Sequence, residues 1–107
     1  RAMHLKMIRE FRKLLERVEK EKMTADEILN AYGECGGQYM KMGGSILEKY
    51  RLENCSVQFS SFLMRETEGL GEAERLKALH RIRKDILSGK LKIPGEDEGT
   101  GEAGMEE

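Results

Sequence analysis

Two cysteines and two histidines are the residues of this chain whose types suit covalent or metal chemistry, and their spacing supports neither. Cys35 and Cys55 stand 20 residues apart with no CxxC pair. His4 and His80 would complete a Cys2His2 set, but neither pair has metal-finger spacing. No local motif joins a Cys to a His for nucleophilic catalysis. Gly36-Gly37 and Gly43-Gly44 follow no strand pattern and no GK[ST] occurs, so they do not read as a phosphate-binding loop. The carboxylates sit among Lys and Arg at helix-surface spacing, which is the pattern of a solvated face. The expectation is a non-enzymatic protein with no catalytic residue, metal or cofactor.

The side chains better placed for recognition are cationic. At 100° per residue, Lys6, Arg9, Lys13, Arg17 and Lys20 form one continuous row about 21 Å long. Lys77, Arg81 and Lys84 form a second, shorter row. Such rows suit an acidic protein partner or, alternatively, the phosphates of nucleic acid. No aromatic residue is interleaved with them, which disfavours a stacking platform for single strands. The plain alternative is an exposed charged face of a helical protein.

These rows exist only if helices position them. Residues 3–22 form the clearest amphipathic segment: Met3, Met7, Ile8, Phe11, Leu14, Leu15 and Val18 fall within an arc about 140° wide, opposite the first row. The segment resembles membrane-surface and calmodulin-target helices, basic on one side and apolar on the other. Its apolar face is needed for a core, so a membrane is not the expected partner. A second helix starts at Ala25, because Thr24-Ala25-Asp26-Glu27 reads as a capping box with Met23 and Ile28 at the staple positions.

The next stretch admits two readings. Gly33, Gly36, Gly37, Gly43 and Gly44 fall within 12 residues, and each costs a helix about 1 kcal/mol relative to Ala. One reading stops the helix at Gly33 and restarts it at a second capping box, Ser45-Ile46-Leu47-Glu48. The other keeps one helix to about Leu52, because Ile28, Tyr32, Cys35, Tyr39, Met42 and Ile46 make a heptad seam. Leu29, Gly33, Gly36, Met40, Gly43 and Leu47 run beside it. Glycines on such a stripe let a second backbone approach closely. The periodicity favours the continuous helix, and twelve seam residues on it point to a homodimer.

Asn54 to Thr67 reads as a third helix, with Val57, Phe59, Phe62, Leu63 and Met64 as its apolar set. Glu68-Gly69-Leu70-Gly71 is a turn. A fourth helix runs from about Glu72 to Ser88, buried through Leu76, Leu79, Ile82, Ile86 and Leu87, with Gly89 as its stop. Arg83 falls inside that apolar arc, so it snorkels or meets a partner.

Composition agrees. The chain has 107 residues, enough for one domain, and its low aromatic share of 6% and Leu/Met/Ile-rich apolar set favour helices over sheets. The net charge of −1 divides into −6 on residues 95–107 and +5 on residues 1–94. The tail, with four Gly and only Ala103 and Met105 apolar, is expected to be disordered. The N-terminal stretch lacks the apolar run of a signal peptide and no segment is long and apolar enough for a membrane span, so cytosol or nucleus is the expected compartment.

The sequence therefore predicts an all-α protein: a small four-helix bundle-like domain over 1–94 with one long Gly-containing helix, followed by a disordered acidic tail over 95–107. Its expected role is a helical protein-interaction module, self-associating through the second helix and acting as an adaptor, assembly or regulatory subunit. The alternative is a nucleic-acid-binding regulator that uses both basic rows.

Overall fold

The computed structural model describes residues 2–96. Four helices run in order through them: α1 (Met3–Lys20), α2 (Ala25–Met42), α3 (Ile46–Thr67) and α4 (Glu72–Leu87), with no strand among the described residues. The all-α reading holds. The acidic tail beyond Glu96 lies outside the described residues.

The two central helices begin where their capping residues place them. The Thr24 hydroxyl accepts from the Glu27 amide at 3.2 Å and the Glu27 carboxylate accepts from the Thr24 amide at 2.9 Å, so α2 opens on a complete capping box. Both groups satisfy amides that the first turn leaves without helical partners. At the start of α3, Ser45 accepts from the Glu48 amide at 3.0 Å, and Glu48 accepts from the Gly44 amide at 2.7 Å.

That second cap corrects the one-helix reading to Leu52. The helix passes through Gly33, Gly36 and Gly37 as the periodicity requires, then stops at Met42. Gly43 is extended at φ −62°, ψ 127°, and Ile46 and Leu47 belong to α3. The third helix also starts eight residues earlier than Asn54. The physical reason is burial. A single rod could not fold back on itself, whereas the break lets α2 and α3 pack as an antiparallel hairpin. Gly36 faces Ser56 and Gly43 faces Lys49 and Leu52, which fixes that antiparallel register.

The core sits where α1, α2 and α3 meet. Phe11, Tyr32 and Phe59, one from each helix, place their ring centroids 5.1–5.4 Å apart. The Phe11–Tyr32 and Tyr32–Phe59 pairs are edge-on and the Phe11–Phe59 pair stacked, the arrangements that ring quadrupoles favour. The Tyr32 hydroxyl donates to the Phe11 carbonyl at 3.5 Å. Met7, Leu52, Leu63, Leu79, Ile82 and Ile86 extend this core.

α4 is tied to α1 by Arg83. Its Nε donates to the Leu15 carbonyl at 2.7 Å and its guanidinium pairs with Glu19 at 2.6 Å. The cation inside the apolar arc therefore meets a partner within the chain. After Gly89 the chain returns across the body: Ile93 is 1% exposed, Gly95 lies against Cys55, and Glu96 pairs with Arg12. Gly95 and Glu96, grouped with the tail on composition, are packed on the domain.

Candidate interaction surfaces

Most of the expected seam is spent inside the chain. Ile28 and Tyr32 are each 2% exposed, Gly36 and Gly43 are buried, and Leu29, Cys35, Tyr39 and Met40 are partly covered. α1 and α3 are the rods that nestle against this face. Gly33 and Gly37 face solvent with nothing near the position of a Cβ, so the close approach belongs to Gly36 and Gly43 alone.

Besides Gly33, three seam residues remain exposed, and these three lie at the α2–α3 corner: Met42 at 54%, Ile46 at 90% and Leu47 at 58%. They continue into a stripe that a third helix starting at Asn54 does not contain. Ile46, Tyr50, Val57 and Met64 step by four, seven and seven and share an arc about 40° wide on the outside of α3. Tyr50 is 65% exposed and Met64 58%. Val57 and Met64, two members of the apolar set of the third helix, thus face solvent. The core face of α3 is instead Leu52, Cys55, Ser56, Phe59, Leu63 and Thr67. The missing signal was the helix start. Once α3 begins at Ile46, the same 100° placement separates the two faces.

The basic rows are helical and exposed, but four of the eight cations are engaged. Lys13 pairs with Glu10 at 3.2 Å, Arg17 with Glu21 at 2.8 Å, Lys77 with Glu74 at 3.7 Å and Arg81 with Glu66 at 3.5 Å. The Glu21 hydrogen bond raises Arg17 above its ordinary pKa, and Arg17 in turn lowers Glu21. Lys6, Arg9, Lys20 and Lys84 form no ion pair among the described residues. Such pairing reduces the net positive charge that a polyanion would meet, and with it the counterion release that drives binding to phosphates.

The cysteines are not poised as nucleophiles. Cys55 is buried, and Cys35 is partly buried on α2. Burial, reinforced by the nearby Glu10 carboxylate, pushes the Cys35 thiol up to about 11. A reactive thiol needs the opposite environment. Tyr32 is raised above the ordinary tyrosine range, chiefly by burial, and stays a neutral core group. Among the described residues no three His, Cys, Asp or Glu side chains gather as a metal-ligand set, and no helix is long and apolar enough to cross a membrane.

The sequence matches no known protein-family model, no curated protein and no solved structure, so its function has to be read from its own surface.

Proposed function

We propose that this chain is a non-enzymatic helical interaction module that self-associates and serves as an adaptor, assembly or regulatory subunit. The observation that carries this reading is the exposed apolar face of the α2–α3 corner and outer α3: Met42, Ile46, Leu47, Tyr50, Val57 and Met64. Six large apolar side chains exposed by half or more along one corner and one helix face exceed the singly scattered apolar residues of an ordinary monomer surface. A standard interface takes about 800 Å² from each partner. A second copy of the same face supplies matching apolar surface at heptad spacing, as a helix-to-helix contact requires.

Self-association thus moves from the inner face of α2 to its exposed end and α3. Lys6, Arg9, Lys20 and Lys84, which form no ion pair among the described residues, leave positive charge elsewhere on the surface, which favours an acidic protein as the heterologous partner. Sedimentation equilibrium tests the reading. A dimer at 100 µM is expected, and a monomer at that concentration overturns the self-association.

A further inference from the structure

A groove of about 430 Å³ runs between the end of α1 with its following turn and the flank of α4 that carries Leu76, His80, Arg83 and Lys84. Its floor is apolar: Val18 is 4% exposed, and Met23 and Leu76 are partly buried. Its rim is cationic. Lys22 and Lys84 are exposed with no carboxylate partner among the described residues, and half-buried His80 also lines the groove. The one carboxylate lining the groove, Glu19, is held by Arg83 at 2.6 Å. An apolar trough whose rim carries two lysines with no carboxylate partner among the described residues is complementary to an apolar side chain flanked by negative charges.

Lys22 adds an independent observation. Its φ is +50°, the only positive value at a non-glycine position among the described residues. It occupies the position just past the end of α1, and the Met23 amide bonds back to the Val18 carbonyl at 3.4 Å. Glycine is the usual residue at such a left-handed helix stop, because a Cβ is disfavoured there. The chain instead accepts that penalty and projects a cation at the mouth of the groove.

We propose that this groove is the docking site for an acidic peptide segment of a partner protein, with one bulky aliphatic side chain seated on Val18, Met23 and Leu76 and its flanking carboxylates on Lys22 and Lys84. The proposal rests on the acidic-partner reading above and locates it. The two basic rows contribute only where they end: Lys84 is part of the rim, and Lys20 lies two residues before Lys22.

The test is a backbone-amide NMR titration of the full chain with a short peptide carrying one leucine between paired glutamates. Shifts confined to the segments around Lys22, Met23, Leu76, His80 and Lys84 are expected. Lys84→Met and Lys22→Gly should each weaken binding about three- to fivefold, the scale of a single rim charge. Lys22→Gly should also raise the melting temperature by relieving the left-handed backbone, so lost binding cannot be ascribed to lost folding. A peptide with glycine in place of its leucine should bind much more weakly. Equal binding by that peptide overturns the groove, as does a stronger response of the same amides to a duplex oligonucleotide. Shifts along Lys6, Arg9 and Lys13 alone overturn the groove but leave the acidic-partner reading standing. No shifts at millimolar peptide overturn both.

Discussion

Gly36 of α2 and Ser56 of α3 touch with no room for a side chain on the glycine. A Cβ on Gly36 would overlap the Ser56 hydroxyl oxygen and stand 3.2 Å from its Cβ, while Ser56 is itself 8% exposed. The two helices owe their separation at this level to the missing methyl. Gly33 and Gly37, one turn before it and one residue after it, have open space around the same position. Gly33→Ala and Gly37→Ala should therefore each stabilise the protein by about 1 kcal/mol through helix propensity. Gly36→Val should destabilise it by about 1–3 kcal/mol, because the hairpin must spread to admit it. Urea midpoints distinguish the positions, and an equal response at all three would refute the close contact.

The helix break makes a prediction of opposite sign to the one-rod reading. Ser45 accepts from the Glu48 amide as the cap of α3. Ser45→Ala should cost about 1 kcal/mol, the usual loss for an N-cap. In a continuous helix the same change would stabilise, since Ala has the best propensity of all residues. Thermal melts of the single variant decide between them by sign alone.

Much of this fold is legible in the sequence because local signals act without tertiary help. The Thr24–Glu27 box, the Gly89 stop and the amphipathic period of residues 3–18 depend on near neighbours, and each element appears where they place it. The glycine segment is different. Its periodicity records that Ile28, Tyr32 and Gly36 share a buried face, but periodicity is silent on whether the covering helix comes from the same chain or another. The Ser45 cap carries that information, because a cap inside the stripe ends one helix and starts another. The outer stripe is legible only from the true start of α3, since Val57 and Met64 look like core residues until Ile46 and Tyr50 join their row. The cationic groove has no linear signature, because Lys22 and Lys84 come to line one groove only when the fold brings α4 beside the end of α1, where Arg83 bonds Leu15 and Glu19.

Cys35 gives a prediction in pH. Burial and the Glu10 carboxylate both disfavour its thiolate, raising the pKa from 9.0 to about 11. The folded protein thus holds this proton more tightly than the unfolded chain, so between those values ionisation favours unfolding and stability should fall as pH rises. Alkylation of native protein by iodoacetamide should be slow at pH 8 and accelerate only on approach to pH 11, since the thiolate is the reacting species. Cys55, buried against Gly95, should be slower still. Modification of Cys35 at the rate of an unfolded control at pH 8 would contradict the burial described.

The outer stripe of α3 can be tested at its most exposed member. Ile46 is 90% exposed, so Ile46→Asp should change monomer stability by no more than about 0.5 kcal/mol. In a twofold interface the residue is buried once from each copy. Burying a side chain of this size is worth about 1.5–3 kcal/mol, and the symmetric contact counts it twice. Ile46→Asp should thus weaken self-association by at least about a hundredfold. Leu70→Asp serves as the control, being an apolar residue 42% exposed in the α3–α4 turn and off the stripe. Sedimentation of both variants, with circular dichroism confirming unchanged helicity, separates a specific face from general stickiness. Dimers of equal strength in both would place the contact elsewhere, while equal loss in both would mean that association follows overall surface hydrophobicity instead of the α3 stripe.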